Sequence, residues 1–156
     1  MGIEYSVLIP DTEYCIPYTH TMLHVRVITP KRIIKETDAD SVTAPGSEGE
    51  MTILPHHTNI FSMLQDGLVT IRNKSSEESF AIGSGYLETN GKDLNILVSR
   101  AAGQDELDQK EIERAMEQAK QALAKAKDHK ERIDATMLLR RSVVDSKLLK
   151  RRRSRV

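Results

Sequence analysis

The chain has 156 residues and a mass of 17.6 kDa, and its 23 Lys and Arg balance 23 Asp and Glu, so the formal charge is zero. Hydrophobic residues make up 38%, charged ones 29% and aromatics only 4%, which allows a modest packed core and argues against disorder. The even charge argues against a whole-surface nucleic-acid binder, no apolar run approaches the ~18 residues of a membrane span, and a single cysteine, Cys15, excludes a disulfide framework or a Cys-rich zinc site.

Residues 1–21 contain Pro10 and Pro17 and no Lys or Arg, so they read as a loose extension and not as a secretory signal. Met1-Gly2 with Ser6 fits the N-myristoylation pattern, which is short enough to match often by chance. Met22 is a second candidate start, because regular alternation begins directly after it. Cys15 has no evident base beside it and is not expected to act as a nucleophile.

From Leu23 onward the pattern is that of short strands. Leu23, Val25 and Val27 alternate with His24, Arg26 and Ile28. Apolar runs follow at Ile33-Ile34, Val42, Met51 to Leu54, Ile60 to Leu64, Leu68 to Ile71, Phe80 to Ile82, Tyr86-Leu87 and Leu94 to Val98. Turn signals separate them, among them Thr29-Pro30, Ala44-Pro45-Gly46, Asp66-Gly67 and Gly83-Ser84-Gly85. The rhythm of about 8–12 residues is that of a sandwich or barrel. Asn90-Gly91 predicts a tight hairpin with positive φ at both positions.

The last proline is Pro55 and the last glycine Gly103, so residues 104–156 carry neither breaker and read as helix. Asp105 is the predicted N-cap of a first helix over about 106–127, with Ile112, Met116, Ala119, Leu123 and Ala126 on its apolar stripe and Ala115 and Ala122 beside it. A break is expected near Asp128-His129-Lys130. A second helix would then set Ile133, Met137, Val144 and Leu148 on one face, interrupted by Arg140-Arg141. The predicted fold is β + α: an extension over 1–21, an N-terminal antiparallel β-sandwich over 22–104, and a C-terminal two-helix antiparallel hairpin with a basic tail over 105–156.

The neutral total hides a division of charge. Residues 1–104 hold 8 basic and 13 acidic side chains, whereas residues 135–156 hold 8 basic ones against the single Asp145. His56-His57 is the only histidine cluster; placed on a strand, the two would point to opposite faces and share no metal. Gly83-Ser84-Gly85 lacks the spacing of a dinucleotide fingerprint, and there is no phosphate-binding loop or nucleophile elbow. No catalytic, cofactor or metal site is expected, which turns attention to interfaces.

The stretch from Val42 to His57, Val-Thr-Ala-Pro-Gly-Ser-Glu-Gly-Glu-Met-Thr-Ile-Leu-Pro-His-His, resembles the epsilon subunit of bacterial F-type ATP synthase. That family shows a strand, then Gly-x-x-Gly-Glu, an apolar pair, Pro and x-His. Asp66 to Ile71, Phe80 to Glu88, Leu94 to Val98 and Glu106-Leu107-Asp108 match its later strands and its entry into a helical hairpin. The similarity covers roughly residues 23–130, and beyond that only the helical character.

The resemblance implies a non-catalytic rotor subunit of the central stalk, peripheral on the cytoplasmic face of the bacterial inner membrane. Its sandwich would bind the gamma subunit and the membrane c-ring and couple proton flow to ATP synthesis, with no insertion into the membrane itself. By the same likeness, Glu48, Glu50 and His57 are candidates for the c-ring and gamma interface. Met63, Tyr86 and Leu87 are candidates for an apolar gamma-binding face, although a buried core explains them equally well. Arg140, Arg141, Lys147, Lys150, Arg151, Arg152 and Arg153 would form an arm that transiently meets the acidic catalytic beta subunit and restrains ATP hydrolysis. Some members bind ATP through Ile/Leu-Asp-x-x-Arg-Ala; here Leu107-Asp108 begins that motif but Glu111 holds the arginine position, so ATP binding is not expected. The alternative class is a nucleic-acid-binding adaptor using the basic arm on phosphates, and a third is a generic helical-hairpin interaction module.

Overall fold

A computed structural model describes residues 22–153, with side chains through Arg151. The expectations placed on Met1-Gly2, Ser6, Cys15 and the side chains of Arg152 and Arg153 therefore lie outside the described residues. Ten strands lead into two helices: β1 Leu23–Ile28, β2 Ile33–Ala39, β3 Ser41–Gly46, β4 Gly49–Ile53, β5 Ile60–Leu64, β6 Gly67–Asn73, β7 Ser76–Ile82, β8 Gly85–Thr89, β9 Asp93–Val98, β10 Ala101–Gly103, α1 Gln109–Lys125 and α2 His129–Arg153.

The strands are hydrogen-bonded in the order β10-β7-β6-β3-β5-β8-β9-β1-β2, with β4 on the side of β3. β3 holds the layers together: Ser41 to Thr43 pair with β6, while Gly46 at its far end pairs with Leu64 of β5. One layer is thus built on β10, β7, β6 and β3, the other on β5, β8, β9, β1 and β2, and the path folds over into a sandwich close to a barrel. Pairing is antiparallel except between β1 and β9, which run parallel. Alternation in β1 (Leu23, Val25, Val27) and β9 (Leu94, Ile96, Val98) drives one side of each strand inward, where they meet Val42, Val69, Ile71, Ile82 and Leu87 in one apolar core. Lys35 of β2 pairs with Glu78 of β7 at 2.8 Å, a polar tie between the two layers.

Several local expectations are corrected. The first helix begins after Asp108, not Asp105: the Asp108 carboxylate accepts from the Lys110 and Glu111 amides at 2.7 and 3.2 Å, and Gln104–Glu106 forms a separate 3-10 turn. The loop between β8 and β9 has three residues, and only Gly91 has positive φ, at 87°. Asn90 acts through its side chain, whose oxygen accepts from the Lys92 and Asp93 amides. His56 and His57 lie in the loop between β4 and β5, with His56 at φ 64°, so strand alternation is not what separates them.

The helical stripes differ as well. In α1, Ile112 and Ala119 are buried and Ala115, Met116 and Leu123 partly so, as is Ala126 just past its end, but Ala122 is exposed. In α2 only the C-terminal part of the predicted stripe is covered: Val144 and Leu148 are buried, whereas Ile133 and Met137 are exposed. α2 meets the sandwich at β6 and β7, and the residues it seats there, Val144 and Leu148, belong to its C-terminal half. The buried Ala135 and Ser142 occupy the other side of α2, where α1 packs.

Candidate functional site

Two regions present interaction chemistry. The first is the outer face of the layer containing β5, β8 and β9. Leu64 of β5 points inward, so Phe61 and Met63 point outward, 62% and 57% exposed. Met63 stands opposite Tyr86 on β8, and Tyr86 opposite Leu97 on β9. The Phe61 and Tyr86 rings lie 5.1 Å apart between centroids, tilted at 34°, a favourable aromatic contact left open to solvent. Beside Tyr86 a shallow cleft of about 330 Å³ continues the apolar surface along Ile28, Pro30 and Leu97. Glycine permits this close stacking of strands: a side chain at Gly85 would fall on the Leu97 carbonyl oxygen.

The acidic turn belongs to the same region. Ser47 donates its amide to the Met63 carbonyl at 3.1 Å, and the Gln65 side chain donates to the Ser47 carbonyl, also at 3.1 Å. Glu48 and Glu50 therefore stand exposed at the Met63 end of β5, on a turn fastened at its base. His57 lies at the other end of β5, its Nδ1 2.8 Å from the Thr58 carbonyl and its own carbonyl under Gly91. So the structure brings Glu48, Glu50, Met63 and Tyr86 together and sets His57 apart. Leu87 is fully buried and belongs to the core, which removes it from any surface. Phe61 went unnoticed in the sequence because one residue of an alternating strand gives no sign of which face is covered.

The second region is the hairpin and its seat on the sandwich. Val144 and Leu148 of α2 pack on Ala81 of β7, with Leu68 and Leu107 beside them. Two polar contacts flank this seat: Arg100 Nη2 donates to Asp145 Oδ1 at 2.7 Å, and Arg151 Nη1 donates to Thr70 Oγ1 at 2.8 Å. Arg32, in the turn after β1, reaches Glu106 at 3.1 Å. Of the predicted arm, Arg140, Arg141, Lys147 and Lys150 are exposed, while Arg151 is tied down.

Residues 22–104 match the model for the ATP synthase delta/epsilon chain β-sandwich domain. The chain belongs to the ATP synthase delta/epsilon family. Among curated relatives, an ATP synthase epsilon chain of Moorella thermoacetica is 34% identical over 78% of this chain and 91% of its own length, and one of Carboxydothermus hydrogenoformans is 33% identical over 66% and 77%. A chain in the Euglena gracilis mitochondrial ATP synthase OSCP/F1/c-ring structure superposes with a TM-score of 0.74 at 18% identity, covering 96% of this chain and 91% of that one. A chain from the Tetrahymena thermophila mitochondrial ATP synthase central stalk and c-ring gives 0.58, also at 18% identity, over 81% and 96%. These two establish the shared fold, hairpin included. Among the described residues no cluster of His, Cys, Asp and Glu is suited to a metal, and no helix is long and apolar enough to cross a membrane.

Proposed function

We propose that this chain is a non-catalytic rotor subunit of the central stalk in a proton-translocating F-type ATP synthase. The observation that carries the reading is the open apolar face of Phe61, Met63 and Tyr86 on an epsilon-family sandwich. An exposed aromatic pair with a flanking apolar cleft is the kind of surface that protein partners cover, and the gamma subunit is the partner proposed. Glu48 and Glu50, on a turn at the rim of that face, are suited to basic residues on the c-ring loops, and His57 to the second contact at the opposite end of β5. By bridging shaft and ring the sandwich would couple proton flow to ATP synthesis, peripheral to the membrane and on its cytoplasmic side. The helical hairpin is the proposed regulatory part: its exposed cations, Arg140, Arg141, Lys147 and Lys150, with Arg152 and Arg153 beyond them, suit the acidic catalytic beta subunit and would restrain hydrolysis when the hairpin leaves the sandwich.

Reconstitution with purified gamma subunit tests the first part. One-to-one binding at micromolar concentration is expected, resistant to nuclease and to moderate salt. Phe61→Glu or Met63→Glu should weaken it by ~30-fold or more, since a charge would then have to be buried in an apolar contact. Absence of gamma binding by the unsubstituted chain overturns the reading, and loss of every partner on nuclease treatment favours a nucleic-acid adaptor. ATP is not proposed as a ligand of the hairpin: Glu111 would repel a triphosphate where ATP-binding members carry arginine, and tight binding of ATP in calorimetry would overturn that statement.

A further inference from the structure

Asp145 is the only acidic residue in the basic segment 135–156, and it faces inward. Its side chain is 9% exposed and that of Arg100 21%, with 2.7 Å between the guanidinium and the carboxylate. Arg100 stands at the corner between β9 and β10, so it belongs to the sandwich; Asp145 belongs to α2. The apolar seat around them is small, with Val144 and Leu148 on Ala81. Contacts of that kind have no directional preference and would accept a helix displaced by a turn. A nearly dry ion pair does not: displacement would leave both charges desolvated without partners, and removing one partner leaves the other uncompensated in the docked state. On full release, by contrast, both ends return to water, so the pair discriminates between docked positions without locking the hairpin irreversibly.

We propose that Arg100 and Asp145 form a charge latch that fixes the register of α2 on the sandwich and sets the fraction of molecules whose basic arm is released. The use of that release, restraint of ATP hydrolysis, rests on the function proposed above; the latch itself is testable without it. In the full chain carrying Cys15→Ser, a thiol introduced by Val144→Cys is shielded only while α2 is docked, and one introduced by Val69→Cys is shielded while the sandwich is closed. Leu148→Cys, buried in the same seat against Ala81, provides a second reporter. Asp145→Asn and Arg100→Gln should each raise thiol-labelling rates at 144 and 148 by about tenfold or more and leave the rate at 69 within about twofold, because only the docking equilibrium loses its pair. Exchanging the charges, Arg100→Asp with Asp145→Arg, should bring the rates back to within about threefold of the parent, the coupling that a pairwise contact requires. Unchanged labelling in the single variants, an equal rise at position 69, or failure of the exchange to restore shielding would each overturn the latch. Raised labelling together with unchanged ATP hydrolysis by the assembled complex would uphold the latch and overturn only the inhibitory role of the arm.

Discussion

His24 sits on the outer face of β1 with a carboxylate on each ring nitrogen: Nδ1 is 3.0 Å from Asp38 and Nε2 3.1 Å from Glu36, both across the strand pair on β2. Only the imidazolium can donate to both, and the Asp38 contact, followed by that of Glu36, raises its pKa above the ordinary 6.5. A raised folded value means that the stabilisation is fully present below the unfolded pKa and is lost as pH rises through the folded one. Thermal unfolding of the native chain should therefore lose midpoint relative to His24→Gln as pH rises above about 6.5, and the His24→Gln curve should be flatter there; equal slopes would show that the bridge adds nothing. Gly85 is a second residue-scale constraint. A β-carbon there would meet the Leu97 carbonyl oxygen and lie 2.7 Å from Val98 Cα, backbone atoms that cannot turn aside. Gly85→Ala should cost ~1–3 kcal/mol in denaturant unfolding, and a smaller change would mean that β8 and β9 separate more easily than their register suggests.

At the scale of elements, helix ends were harder to place than strands. Asp105 and Asp108 both carry the short carboxylate of a cap, and Asp108 takes the place expected of Asp105 because its oxygen reaches two free amides of α1. Asp108→Ala should destabilise the hairpin by ~1 kcal/mol and increase amide exchange in the first turn of α1; unchanged exchange there would show that the cap adds nothing. α2 opens with a related device: Asp128 accepts from the Glu131 amide at 2.7 Å and Glu131 reaches back to the Lys127 amide at 2.9 Å. That pair sets the start of α2, so the break falls at 126–128 and shares only Asp128 with the expected Asp128-His129-Lys130; His129 and Lys130 are already helical. The turn residues of the strands were clearer, since Gly46, Gly67 and Gly91 each stand at or beside a reversal of the chain.

For the whole molecule, the main division is between a deep core and a shallow seat. The sandwich buries Leu23, Val25, Val27, Leu94 and Ile96 without remainder. The hairpin offers it chiefly Val144 and Leu148, a few kcal/mol at ~1.5–3 kcal/mol per fully buried side chain before ordering costs. A contact of that size is compatible with reversible release, provided the free arm meets a partner, because helices in proteins draw most of their stability from tertiary packing. Truncation after Lys130 should raise ATP hydrolysis by the assembled complex and leave gamma binding by the sandwich intact. Unchanged hydrolysis across nucleotide conditions would reject an inhibitory arm. The apolar face of Phe61, Met63 and Tyr86 is untouched by this truncation and lies on the other layer, so docking and regulation are separable in the same chain.

The order of strands and helices, the apolar alternation that closes the core and the division of charge were all present in the one-dimensional pattern. They depend on near neighbours in the chain: side-chain period, breaker residues and local charge. Which faces stay open was decided by tertiary structure. Met63 and Leu87 are equally apolar, yet the pleat turns one to solvent and the other into the core. Ile133 and Leu148 share a stripe, but α2 seats only its C-terminal half on β7 and only Leu148 is covered. Arg100 and Asp145 are 45 residues apart and meet only because the helix returns across the corner of β9 and β10. Exposure and pairing at such distances are properties of how the layers stack, and no local period of the sequence encodes them.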